Sequence, residues 1–133
     1  MSKRIYTSVV FLLLSLFLIQ AQNYPKSTVV AFQKGDAKLL QPLVGEEVAL
    51  HLLNQKVLTP QKVIASLGEF FKENPVLSFE LKHEGERAES SYFIGSLTTK
   101  TGVYRVNCFF KRIENNIVIH QIRIDKANGQ VNR

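Results

Sequence analysis

Cys108 and His120 are the two residues of this chain whose types could do chemistry together. A thiol beside an imidazole is a nucleophile with its base. Both fall in alternating stretches that read as neighbouring strands, 103–112 and 117–125. A hairpin centred on Glu114 sets the two directly opposite, and one centred on Asn115 makes them diagonal neighbours. A third, orienting group is missing, because Asn107 falls on the other face. A buried cysteine beside a hydrogen-bonded core histidine is therefore the preferred reading. His83 shares the inner side from an earlier strand, yet no close-spaced ligand pair anchors a metal, and neither metal nor cofactor is expected. Tyr92 and Tyr104 add hydrogen-bond donors to the same candidate pocket. What the pocket lacks is an acid: Glu80, Glu84, Glu114 and Asp125 all take outward parity or lie in turns, which leaves no general base.

The elements that would position these groups follow from punctuation and periodicity. Pro25 and Gly35 frame a helix over 25–34, and Asp36 caps a second, short one that Pro42 and Gly45 end. The apolar run 48–53 reads as a strand, with His51 facing away from its inner side. Thr59-Pro60 starts a helix whose Val63, Ile64, Leu67, Phe70 and Phe71 share one face, and Asn74-Pro75 stops it. Beyond Pro75 the period is two. Leu77, Phe79, Leu81 and His83 point inward on one strand, and stretches 92–99, 103–112 and 117–125 follow after short turns. Two or three helices followed by an antiparallel meander make an α+β domain with a sheet of about five strands, the helices covering one face.

Strand parity divides the last two strands into two surfaces. Tyr104, Val106, Cys108 and Phe110 face in with Val118, His120, Ile122 and Ile124. Val103, Arg105, Phe109, Ile117, Ile119 and Arg123 face out. That outer surface is apolar in the middle and cationic around it, as an interface is, unless the tail 126–133 covers it.

The N-terminus has its own logic. Lys3 and Arg4 precede an apolar run from Val9 to Ile19 and the small residue Ala21, the order of a secretory signal cleaved after residue 21. The run is about half of what a spanning helix needs. No cysteine stands near the cleavage point to carry a lipid, so no membrane anchor after cleavage is expected. Removing residues 1–21 of 133 leaves 112 as one domain, 22–133, periplasmic or secreted. Its single cysteine forbids an internal disulfide, so packing must carry the stability. Without Lys3 and Arg4 the formal charge of +6 falls to +4, a mildly basic surface. Export argues against nucleic acid as the partner of Arg105, Lys111 and Arg123.

The element order resembles the cone-shaped cystatin-like superfamily typified by nuclear transport factor 2 (NTF2). More closely, the stretches Phe32-Gln33-Lys34-Gly35-Asp36-Ala37-Lys38-Leu39-Leu40, Leu67-Gly68-Glu69-Phe70-Phe71, Tyr92-Phe93-Ile94-Gly95-Ser96-Leu97-Thr98-Thr99 and Gly102-Val103-Tyr104-Arg105-Val106 are similar to a family of short exported Bacteroidetes proteins known as a domain of unknown function, DUF4783. The resemblance implies helices packed into the concavity of a curved sheet. It carries no catalytic motif, and the fold hosts unrelated functions. The expectation is a non-catalytic binding domain whose partner is a second copy, an envelope protein or a small apolar ligand. The alternative is a small pocket enzyme of isomerase, dehydratase or hydrolase type built on His120, Cys108 and the tyrosines.

Overall fold

The computed structural model describes residues 23–127. The expected signal segment 1–21 and most of the tail 126–133 lie outside the described residues.

Helix α1, Ser27–Lys34, begins behind Pro25 and ends where Gly35 turns left-handed at φ 65°. The Asp36 N–H donates to Ala31 O and the Gly35 N–H to Phe32 O, which closes the last turn. Gly35 is also hemmed in, since a Cβ there would lie 2.8 Å from Val76 Cγ2. Asp36 then caps a 3-10 helix, Ala37–Leu43, through Lys38 N. Pro42 sits inside this segment rather than ending it. Helix α2, Pro60–Glu73, is capped by Thr59 and buries Val63, Leu67, Phe70 and Phe71 on the face expected from their spacing.

Six strands form one sheet: β1 Val44–Leu52, β2 Gln55–Val57, β3 Val76–Arg87, β4 Ser90–Thr99, β5 Gly102–Ile113 and β6 Asn116–Lys126, in the order β2-β1-β6-β5-β4-β3. The meander β3 to β6 is antiparallel as expected. The addition is at the other edge, where β1 pairs parallel to β6 and folds back on the short β2. The helices all lie on one face, and the core there is unusually aromatic. Phe32 of α1 meets Phe71 of α2 edge-on at 6.0 Å, and it meets Phe79 and Phe93 of the sheet at 5.4 and 6.2 Å. Phe70 packs against Tyr104 at 5.1 Å. Rings fill the concavity from wall to wall.

Four register shifts interrupt the strict alternation, one of them on β1 between Val44 and Ala49. On β3 the register slips between Val76 and Ser78 and again between Leu81 and His83. On β6 it slips opposite Phe109 and Phe110, so that Phe110 pairs with Ile119 and Phe109 with Gln121. Each extra residue bends its strand and exchanges the two faces beyond it. That is how the sheet curves around its helices.

Candidate functional site

The bulge on β6 takes His120 out of the interior. As the extra residue it is exposed, and Ile119, expected on the outer face, is fully buried in its place. Cys108 keeps its inward position but faces Ile122 across the ladder, not His120. The thiol is completely buried, and that burial pushes its pKa well above the ordinary value. A protonated thiol with no base opposite is a small hydrophobe, not a nucleophile.

The β3 bulges act in the same way. Leu77, expected inside, is 60% exposed. His83 pairs with Ile94 on the outer side and is exposed, whereas Glu84 pairs with the fully buried Phe93. The inner surface therefore does receive an acid, contrary to the parity expectation. Glu84 accepts a hydrogen bond from the hydroxyl of Tyr24, a residue that sequence reasoning left unassigned. Burial first, then the hydrogen bond to Glu84, raises the pKa of that phenol.

Of the other pocket candidates, Tyr92 belongs to the outer face. Its register partner is Phe109, 6.2 Å away ring to ring, and its own ring shields the backbone of Gly85. Tyr104 is buried, with its hydroxyl donating to Asn74 Oδ1 at 3.1 Å. Thr101 Oγ1 donates to the same Asn74 oxygen. Asn74 in turn donates from Nδ2 to Phe70 O at 2.8 Å. This polar knot ties the end of α2 to the β4–β5 turn, beside an open cleft of about 670 Å3 whose rim carries Glu69, Glu73 and Lys126. The structure thus disperses the five proposed pocket residues: two buried in separate places, three on the outside.

The outer face is better assembled. Val103 and Phe109 are half-buried there, with Arg105 and Arg123 exposed around them, while Ile117 leans onto the core instead. Tyr92 and Phe109 floor a groove of about 650 Å3 edged by Arg87, Glu89, Lys111 and His120. A second groove, of about 590 Å3, shares Lys111 and His120 but is bounded by Glu46, Glu47 and Glu114. Asp125 is not free, since it pairs with Arg123 at 3.0 Å. Among the described residues no three His, Cys, Asp or Glu side chains stand together as metal ligands would, and no helix is long and apolar enough to cross a membrane.

A bulge-curved sheet wrapped around helices that fill its concavity defines an α+β domain of the NTF2-like class. An NTF2-type designed protein with a long sheet shares this fold at a TM-score of 0.64, with 9% identity over 74% of this chain and 94% of the design. The chain belongs to the DUF4783 family, a domain of unknown function whose model matches residues 25–125. A family member from Bacteroides ovatus is 41% identical, covering 81% of this chain and 99% of its own, with a TM-score of 0.77. One from Bacteroides fragilis is 44% identical over 77% and 98%, with a TM-score of 0.73. Among curated proteins none matches the chain.

Proposed function

We propose that this chain is an exported interaction domain that works by binding rather than by catalysis, and that the outer face of β4, β5 and β6 is its contact surface for a second copy of itself. The observation that carries the reading is the Tyr92–Phe109 pair, two aromatic rings standing on the side of the sheet away from the helices. Aromatic side chains in a shallow groove with a charged rim are what interfaces concentrate. The charges of the two neighbouring grooves are complementary. Arg87 and Lys111 outweigh Glu89 around the aromatic one, and Glu46, Glu47 and Glu114 outweigh the shared Lys111 around the other. A two-fold axis through this face sets the acidic rim of one copy against the basic rim of its partner. The alternative of a pocket enzyme is weakened by the burial of Cys108, the exposure of His120 and an interior packed with rings.

Sedimentation velocity on the protein cleaved of its leader tests the reading. The expected result is a reversible dimer that weakens with added salt and is lost in Phe109→Asp. A strict monomer at high micromolar concentration, with Phe109→Asp indistinguishable in solubility, sinks it. Mass spectrometry of the protein recovered from its own cell envelope tests export, with residue 22 expected as the first.

A further inference from the structure

Tyr24 stands three residues before Ser27, the first residue of α1, yet its ring is inserted into the sheet's inner face and only 8% exposed. It stacks nearly parallel on Phe110, 4.9 Å away and 12° between planes, and tilts against Phe93 at 5.3 Å. Those two phenylalanines belong to β5 and β4, and their backbones are held by the unbroken β4–β5 ladder, in which Phe110 pairs with Ser91 and Phe93 with Cys108. The hydroxyl of Tyr24 reaches the Glu84 carboxylate, which the β3 bulge turns onto the helix-covered side of the sheet, at its exposed edge. Bulges that re-aim a side chain are characteristic of functional positions. Phe93 and Phe110, themselves in contact at 5.8 Å, form a corner against which the ring packs, and one acceptor at the far end completes a site shaped for a phenol.

The occupant is weakly tethered. Among the described residues no backbone–backbone hydrogen bond involves Asn23 or Tyr24, the first such bond being Thr28 N–H to Pro25 O. Apart from the ring and its hydroxyl, the segment is held by one hydrogen bond, Ser91 Oγ donating to Asn23 O at 2.8 Å. Pro25 stiffens the chain behind it and opens the helix turn, so the two residues can swing away without unwinding α1. Segments with few backbone hydrogen bonds are those that open at low cost. Glu84 itself is exposed, which places the entrance at the solvent edge.

We propose that Tyr24 is the resident plug of a binding site for a small phenol, whose ring stacks on Phe110 and leans against Phe93, and whose hydroxyl donates to Glu84. A tethered ring competes with a free one at high effective concentration, so the intact chain binds such a ligand weakly and the unplugged chain binds it well.

The probe is para-cresol, the tyrosine side chain cut free at its Cβ, titrated into the full chain and into Tyr24→Ala with NMR and thermal melting as readouts. Tyr24→Ala is expected to bind para-cresol at least about tenfold more tightly than the intact chain and to recover part of its lost melting temperature. Toluene, which has no donor for Glu84, is expected to bind Tyr24→Ala less tightly than para-cresol, and Tyr24→Ala/Glu84→Leu, which leaves no acceptor there, to lose the preference. Should Tyr24→Ala be unfolded alone, refolding on addition of para-cresol carries the proposal and failure to refold overturns it. Equal affinities in the intact and unplugged chains, or no binding to either, also overturn it. A Tyr24 that serves only to pack the core costs stability when removed but is not replaced by a free phenol.

Discussion

The ring of Phe79 rests on the backbone of Gly95, so close that a Cβ built on that glycine would lie 2.3 Å from Phe79 Cζ. The two are diagonal neighbours on the inner face, since Phe79 pairs with Leu97 and Leu81 with Gly95. The missing side chain makes room for the ring to lie flat between β3 and α1, where it meets Phe32. Gly95→Ala is accordingly expected to destabilise the fold by about 1–3 kcal/mol, the range for overpacking a filled core. Urea denaturation measures it. Phe79→Leu in the same background should return part of the loss, because the two side chains no longer compete for one space. Strict additivity of the two changes would falsify the account.

Cys108 should behave as a core atom. Its thiol is expected to be inert to a water-soluble disulfide reagent in the native chain and to react fully in denaturant, because burial both shields it and holds it protonated. Cys108→Ser should cost more than Cys108→Ala, about 1–3 kcal/mol for burying a hydroxyl that finds no partner there. Rapid native labelling would return the thiol to the list of reactive groups.

The contrast between what the sequence made legible and what it did not is sharpest on β5 and β6. On β5 period two runs unbroken, and Tyr104, Val106, Cys108 and Phe110 are all buried as their alternation requires. On β6 the same rule places Ile122 and Ile124 correctly, then fails one bulge earlier at Ile119 and His120. A bulge adds a residue without adding a signal, since Ile119-His120-Gln121 alternates as well in one register as in the other. The apparent lack of an inner acid had the same origin, because the slip at Leu81–His83 decides which side Glu84 takes. α2 was legible because a capping threonine, a proline and five apolar residues on one face agree. The short β2 carried no such agreement, and neither did Tyr24, whose role depends on partners 60 or more residues away.

Alkaline titration isolates the Tyr24 hydroxyl. Its pKa is raised in the folded chain, chiefly by burial and then by the bond to Glu84. The stability from keeping it protonated is therefore fully present below the ordinary tyrosine value of about 10 and is lost as pH rises above it. The Cys108 thiol contributes with the same sign, so the comparison must be with Tyr24→Phe, which retains the cysteine. The stability difference between the intact chain and Tyr24→Phe is expected to be flat up to about pH 9 and to shrink beyond about pH 10. A difference that grows at alkaline pH would mean that the phenol ionises more easily in the fold than out of it.

Asn74 is the residue on which the helix layer and the sheet depend for their polar connection. Its backbone N–H and its Nδ2 both bond Phe70 O, so it terminates α2. Its Oδ1 accepts from Thr101 and Tyr104, so it also anchors the β4–β5 turn. Tyr104→Phe removes one of these bonds and keeps the ring against Phe70, at a cost of about 0.5–1.5 kcal/mol. Asn74→Ala removes the acceptor for both hydroxyls; Thr101 is exposed and keeps Thr99 as a partner, so the cost falls mainly on the buried Tyr104 and the lost α2 cap, and about 1–3 kcal/mol is expected. Once Asn74 is gone the Tyr104 hydroxyl has less to lose. The double variant should therefore be more stable than the sum of the single losses predicts, by about 0.5 kcal/mol or more. Denaturant melts of the four chains complete the cycle, and a coupling indistinguishable from zero would mean that the Tyr104–Asn74 bond adds nothing to stability.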